Sequence, residues 1–155
     1  IRFLTDDEVD DICCETVTRD KRYPDGRLID LEDNAAAIFH MKSGIFGTMN
    51  VSWTNYGEED NSTIIYGDKG VMKIFGDFAD DIVVELRDDT RVKYQVGAMS
   101  TNTKQLKSGI IDDFIDSIIN SREPTVTGKD GHNTLAVLTA GKKSAQERRW
   151  LKVEY

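Results

Sequence analysis

The chain has little of several features that mark particular classes of protein. It holds two cysteines, two prolines and two histidines among 155 residues. Its apolar stretches are far shorter than the roughly 20 residues that a membrane-spanning helix needs. The first residues, Ile1-Arg2-Phe3-Leu4, do not follow a signal-peptide pattern. We therefore expect a cytoplasmic protein with no membrane partner.

Positive charge is also scarce. The chain has 20 Lys and Arg against 28 Asp and Glu, which gives a formal net charge of −8. An acidic protein without a basic run repels a phosphate backbone, so we expect no nucleic-acid partner. Apolar residues make up 39% and charged residues 31%, an ordinary balance for one folded domain of this length.

The two cysteines, Cys13 and Cys14, are neighbours within a predicted strand. Side chains of adjacent strand residues point to opposite faces, so a disulfide between them would need unusual geometry. No further cysteine or histidine lies at metal-ligand spacing. The sequence therefore predicts two reduced cysteines and no metal site.

Motifs for cofactor binding and nucleophilic catalysis are absent from the sequence. It contains no Gly-x-Gly-x-x-Gly between a strand and a helix and no phosphate loop. Gly67 and Gly70 fit a hairpin turn instead. His40, in a predicted strand, and His132, at a helix start, are isolated from each other, and both are interpreted as structural or solvated residues. The residues therefore predict no catalytic or cofactor-binding group in this chain.

Hydrophobic patterning predicts strands followed by helices. Short β-branched and apolar runs separated by turns indicate an antiparallel meander. The predicted strands cover residues 9–18, 33–41, 46–53, 61–66, 71–75, 82–86, 91–96 and 151–155. This order favours the α+β class, with an open, mainly antiparallel sheet and helices packed on one of its faces.

Two helices are predicted in the second half of the chain. Isoleucines and Phe114 recur at helical spacing from Ile110 to Ile119, and Glu123-Pro124 ends that helix. The other helix starts with Asp130 as its N-cap and runs to about Glu147. Its predicted buried stripe consists of Leu135, Leu138 and Ala145.

One strand end combines aromatic and polar side chains. Trp53, Asn55 and Tyr56 follow the third predicted strand. Stacking surfaces beside hydroxyl and amide groups suit a carbohydrate-like ligand, so we predict that these three residues form a binding site for such a ligand. The alternative is a loop that a core tryptophan fixes by packing.

A series of short motifs extends over essentially the whole chain. They are EDNAAAIF at 32–39, KSG at 42–44, GT at 47–48, SW at 52–53, YGDKG at 66–70, FIDSI at 114–118, REP at 122–124, TGKDG at 127–131 and SA at 144–145. In this order and spacing they resemble the C-terminal domain of the Gfo/Idh/MocA oxidoreductases, although each motif alone is loose.

The resemblance implies a two-domain enzyme of which this chain is one part. An N-terminal Rossmann domain that binds NAD or NADP would precede residues 1–155, which form a single C-terminal domain of the dihydrodipicolinate-reductase-like type. The family transfers hydride to or from sugars, polyols and related hydroxy compounds. Its catalytic lysine lies in the nucleotide-binding half, and its catalytic histidine and aspartate lie on a helix that ends just before a segment like Arg2-Phe3-Leu4. None of them has a counterpart here.

The resemblance also implies roles for this domain. Trp53, Asn55 and Tyr56 match the loop that approaches the substrate, and the open sheet face would form a homodimer or higher oligomer. The fragment alone is then expected to be inactive and to bind no cofactor. Two alternatives remain, a stand-alone small-molecule or carbohydrate-binding module and a self-association module without catalysis. Alternation leaves open whether Met49 and Val51 or Phe46 and Thr48 face outward.

Overall fold

The structure, a computed structural model, describes residues 1–57, 60–76, 80–96 and 109–155. The predicted α+β class is confirmed, and the strands form two antiparallel sheets where the pattern predicted one. The chain divides into two compact units, one of residues 1–56 and 117–155 and one of residues 57–116. In chain order the elements are α1 (Arg2–Thr5), β1 (Val9–Val17), β2 (Asn34–Met41), β3 (Phe46–Ser52), β4 (Thr63–Tyr66), β5 (Gly70–Ile74), β6 (Ile82–Leu86), β7 (Arg91–Tyr94), α2 (Ile110–Ile119), α3 (Gly128–Glu147) and β8 (Leu151–Lys152).

The first unit contains a four-stranded antiparallel sheet in the order β3-β2-β1-β8. Cys14 lies opposite Ala37 and Cys13 lies opposite Ile38 in the pairing of β1 with β2. Met49 of β3 lies in turn opposite Ala37. Because successive strand residues alternate between faces, Cys14, Ala37 and Met49 share one face and Cys13 and Ile38 share the other.

Helix α3 covers one face of this sheet. Ile12, Cys14 and Ala37 form the hydrophobic core with Ala140 of the helix. The helix comes close because it carries a glycine there, since a Cβ atom at Gly141 would lie 3.4 Å from Ile12 Cδ1. We call the side of Ile12, Cys14 and Ala37 the covered face. The opposite side, with Cys13, Ile38, Phe46 and Thr48, is the open face.

The details of α3 correct two sequence predictions. Its N-cap is Thr127, and Asp130 is the third helical residue and completes a capping box with Thr127. Leu135 and Leu138 are exposed at 61% and 59%, so the predicted buried stripe was wrong for both. The buried positions of the helix are instead Asn133, Ala140, Gly141 and Ser144, and Ala145 is partly buried. Small residues face the sheet because they allow the helix backbone to approach it closely.

The second unit contains the other sheet, in which β4, β5, β6 and β7 pair in sequence order. The turn before β5 has Gly67 N–H donating to the carbonyl of Gly70 at 2.8 Å. A Cβ atom at Gly70 would lie 2.1 Å from the carbonyl oxygen of Glu85, so only glycine fits there. Val83 is fully buried in this sheet.

Helix α2 presents its apolar residues to solvent. Six large side chains are exposed by about half or more, namely Ile110, Ile111, Phe114, Ile115, Ile118 and Ile119. The helix ends before the predicted Glu123-Pro124 stop, because Ser121 adopts a left-handed conformation with φ 49° and Arg122 N–H bonds back to Ser117. No helix in the described ranges is both long and apolar enough to cross a membrane.

Candidate functional site

The predicted site residues lie on an exposed segment directly after β3. Trp53 is 65% exposed and Tyr56 is 96% exposed, and Asn55 is exposed as well. Trp53 is therefore not part of the core that the described residues form. Both aromatic rings and the amide are accessible to a ligand.

Hydrogen bonds fix the start of this segment. Trp53 N–H donates to the carbonyl of Asp33 at 2.8 Å, next to the paired ends of β2 and β3. Thr54 N–H donates to Ser52 Oγ at 3.0 Å, and Asn34 Nδ2 donates to Thr54 Oγ1 at 2.9 Å. We call Asp33, Asn34, Ser52 and Thr54 the strand-end network.

The carboxylate of Asp33 is the centre of this network and is 3% exposed. It accepts the backbone N–H groups of Arg19, Asp20 and Lys21 at 2.8–3.0 Å and the side-chain Nδ2 of Asn34 at 2.7 Å. Burial by itself would raise the pKa of Asp33, but these donors outweigh it and hold the pKa well below its usual range. The group is therefore a fixed negative charge around which the loop at Arg19–Lys21 and the Asn34 side chain are ordered.

This arrangement can orient a polyhydroxylated ligand. The face of an indole packs against the C–H groups of a sugar ring, and a phenol or amide pairs with ring hydroxyls. Trp53, Asn55 and Tyr56 provide these groups on a backbone that is held at its base. Holding and orienting a substrate is the chemistry that these side chains support.

The histidines lie elsewhere, His40 among structural contacts and His132 at the surface. His40 Nδ1 lies 2.7 Å from Asp11 Oδ1, and its ring stacks on Trp150 with centroids 4.9 Å apart. His132 is exposed on α3. Neither histidine is part of the strand-end network.

The start of α3 does not fit a dinucleotide phosphate. A dinucleotide phosphate binds where a glycine-rich loop leads into a helix N-terminus with free N–H groups. At the start of α3, Thr127 accepts the N–H of Asp130, and the Asp130 carboxylate places negative charge there. Within the described ranges, no group of three or more His, Cys, Asp or Glu side chains is arranged to hold a metal.

A second polar network joins α1 to α3. The guanidinium of Arg2 donates to both carboxylate oxygens of Glu8, at 2.5 and 2.7 Å, and Asn133 Nδ2 donates to Glu8 at 2.8 Å. The Arg2 hydrogen bond lowers the pKa of Glu8 to about 2. Burial beside this carboxylate raises the pKa of Tyr155 to about 12, and its hydroxyl donates to the carbonyl of Val9.

Sequence reasoning missed both networks. Arg2 and Asn133 are more than 120 residues apart, and no periodic pattern relates them. Asp33 and Asn34 stood in one of the recognised motifs but received no role. The available signal was an Asp-Asn pair directly before an apolar strand, since such side chains often bond to nearby backbone N–H groups.

The fold and the site together define the class of protein. It is an α+β domain with antiparallel sheets that carries an exposed aromatic segment at a strand end. Residues 9–153 match a family model described as Oxidoreductase family, C-terminal alpha/beta domain. The chain belongs to this Gfo/Idh/MocA C-terminal domain family, which confirms the resemblance found in the sequence.

Individual relatives agree with this assignment. Myo-inositol 2-dehydrogenase of Thermotoga maritima is 27% identical over 161 residues, covering 99% of this chain and 45% of the relative. A levoglucosan dehydrogenase solved with NADH and levoglucosan has a TM-score of 0.79 at 18% identity, covering 99% of this chain and 47% of that one. An aldose-aldose oxidoreductase from Caulobacter crescentus complexed with glycerol has a TM-score of 0.74 at 23% identity, with 97% and 43% covered. The chain thus spans about half the length of the proteins it matches.

Proposed function

We propose that this chain is the substrate-binding and self-association half of an NAD(P)-dependent oxidoreductase. The intact enzyme acts on a sugar, a polyol or a related hydroxy compound by hydride transfer. The observation that carries the proposal is the exposed Trp53–Tyr56 segment on its fixed base, in a chain that belongs to an oxidoreductase family. NAD or NADP supplies the hydride chemistry, and a domain outside this chain holds the cofactor.

The names of the relatives support the substrate class. They include a myo-inositol dehydrogenase, a levoglucosan dehydrogenase and an oxidoreductase of aldoses. All of these compounds are polyhydroxylated and small. A site built from an indole, a phenol and an amide suits such molecules, because it combines an apolar stacking surface with hydrogen-bonding groups.

Each of the three residues has a defined part in this proposal. Trp53 packs against the C–H face of the substrate ring, and Tyr56 and Asn55 hydrogen-bond its hydroxyl groups. These contacts place the reacting carbon against the cofactor, which reduces the entropy that must be lost in the reaction.

Substitution of Tyr56 tests the substrate site. In the intact enzyme Tyr56→Phe keeps the ring and removes one hydrogen bond worth about 0.5–1.5 kcal/mol, so we expect kcat/KM to fall severalfold. Steady-state kinetics over a panel of sugars and polyols measures this. Tyr23→Phe, a tyrosine whose hydroxyl bonds to Asp30 in another loop, is the matched control. Unchanged kinetics in Tyr56→Phe would contradict the role of the segment.

The same proposal predicts that residues 1–155 alone neither bind the cofactor nor turn over a polyol. Calorimetric titration of the folded chain with NAD⁺ and NADP⁺ is the measurement, with circular dichroism as the control for folding. Saturable binding with a micromolar dissociation constant, about −8 kcal/mol, would show that the cofactor site lies in this chain after all.

The open face supports self-association. Phe46 is 71% exposed and Ile38 is 46% exposed on the same side of the sheet, where Thr48 lies opposite Ile38. The same face also carries polar residues such as Asp11, Glu15 and Asn50, so Ile38 and Phe46 form an apolar patch within it. We propose a second copy of this chain as the occupant, in a two-fold pair of sheets that buries on the order of 1,000 Å² or more.

A further inference from the structure

We propose that Asp33 is a positioning residue that couples the loop between β1 and β2 to the Trp53–Tyr56 segment. One buried carboxylate and one amide connect the two, so the loop and the segment order together. The consequence for substrate binding rests on the function proposed above. The coupling itself is a property of the fold that can be measured separately.

The loop after β1 is held by the Asp33 carboxylate. Three successive N–H groups, those of Arg19, Asp20 and Lys21, converge on the Asp33 carboxylate at 2.8–3.0 Å. Convergent backbone donors of this kind are fixed by the anion they surround. Without the charge these three N–H groups would converge with no acceptor beside the buried Asp33 side chain. The path of the loop after β1 therefore depends on this carboxylate.

The Trp53–Tyr56 segment is held through the Asn34 amide. Asn34 Nδ2 donates both to Asp33 Oδ1 at 2.7 Å and to Thr54 Oγ1 at 2.9 Å. Thr54 Oγ1 lies 3.2 Å from Asn34 Oδ1 and donates to it. The carboxylate thus sets the orientation of the Asn34 amide, and the amide holds Thr54, the residue between Trp53 and Asn55.

These contacts give Asp33 a position that no other residue of the network shares. Its side chain holds the loop, its carbonyl accepts Trp53 N–H at 2.8 Å, and its neighbour Asn34 holds Thr54. Its N–H donates to the carbonyl of Val17 at 3.1 Å, which fixes it against the end of β1. A disturbance at the carboxylate therefore reaches both the loop and the segment, up to 20 residues away along the chain.

Residue-resolved amide hydrogen exchange on the 155-residue chain tests the coupling. Asp33→Asn keeps the shape but turns one acceptor into a donor that opposes the backbone N–H groups. We expect exchange to become roughly tenfold faster or more at Arg19–Lys21 and also at Trp53 and Thr54. Asp30→Asn, an exposed carboxylate of the same loop, is the matched control and should change neither set.

A second variant keeps the test decisive if Asp33→Asn does not fold. Asn34→Ala leaves the carboxylate with its three backbone donors and removes only the amide that connects it to Thr54. We expect faster exchange at Trp53 and Thr54, with Arg19–Lys21 little changed. Unchanged exchange at Trp53 and Thr54 in either folded variant would overturn the coupling.

Kinetics of the intact enzyme separate this inference from the proposed function. A loosened segment should raise KM for the sugar or polyol severalfold in Asn34→Ala, with kcat changed less, because the altered contact holds the substrate and not the reacting atoms. If exchange changes as expected but KM moves in neither Asn34→Ala nor Tyr56→Phe, the coupling stands and the substrate site is wrong. If Tyr56→Phe raises KM while exchange at Trp53 and Thr54 stays unchanged in Asn34→Ala, the substrate site stands and the coupling is wrong.

Discussion

The two faces of the first sheet are built from neighbouring residues of the same strands and differ in what covers them. On the covered face Ala37 is 5% exposed, while Ile38, the next residue, is 46% exposed on the open face. The larger apolar side chain is thus the one in contact with water. Apolar character alone does not decide burial here; the position of α3 does.

The difference follows from the position of α3, since Ile12 is large and still only 4% exposed beneath it. The covered face meets α3 through small groups such as Ala37, Ala140 and Gly141, which let the helix backbone come close. The N–H of Cys14 even donates to a side chain of the helix, the hydroxyl of Ser144, at 3.0 Å. The open face keeps larger side chains, Ile38 and Phe46, which can fill space against a partner. One face therefore stabilises the fold through α3, and the other leaves Ile38 and Phe46 exposed.

Truncation of one isoleucine on each face should give the largest contrast. Ile12 is 4% exposed in the core, so Ile12→Ala leaves a cavity and should lower the free energy of unfolding by about 2–5 kcal/mol. Ile38→Ala is the matched control on the open face and should cost less than about 1 kcal/mol in the monomer. Urea unfolding at a concentration low enough to keep the chain monomeric measures both. Equal losses would show that the open face is already part of the core.

Charged substitutions on β3 should distinguish the faces in assembly. We expect light scattering at micromolar concentration to show dimers of the unmodified chain. Phe46→Glu and Thr48→Glu should dissociate them, because an unpaired charge at the centre of an interface costs about 2 kcal/mol or more.

Met49→Glu and Val51→Glu are the controls for that experiment. Both residues belong to the same strand and are exposed at 42% and 48%, but they lie on the side of α3. They should leave the dimer intact. A strictly monomeric unmodified chain, or dissociation by the controls instead, would contradict assembly through the open face.

The covered and open faces also show what a sequence can predict. Alternation and turn residues located the strands, because each strand has local signals of its own. The sequence did not predict which face α3 would cover, since both parities hold apolar residues such as Ala37 and Ile38. Leu135 and Leu138 were predicted to be buried because they are apolar and at helical spacing. The helix uses its small residues instead, and which ones face the sheet depends on contacts distant in sequence.

The candidate site shows the same division between local and distant signals. Trp53, Asn55 and Tyr56 were found because they are consecutive or nearly so and have a chemistry that can be named. The Asp33 carboxylate was missed because its donors come from Arg19–Lys21 and its link to Thr54 passes through Asn34. Residues proposed to bind a ligand were visible in the sequence, whereas the contacts of Asp33 depend on which loops meet.

The adjacent cysteines give the finest test of the two faces, because they differ only in the side to which they point. Cys13 lies on the open face and is partly buried, and Cys14 is 8% exposed under α3. Burial raises the pKa of Cys14, which lowers its thiolate fraction at a given pH below that of an ordinary thiol. A thiol reagent should therefore modify Cys13 first, about tenfold faster or more, and Cys13→Ser should remove the fast phase while Cys14→Ser retains it. If dimers bury the open face, the fast phase should slow as the protein concentration rises, and Phe46→Glu should restore it. Equal rates for the two thiols in the folded chain would show that the faces are not distinct.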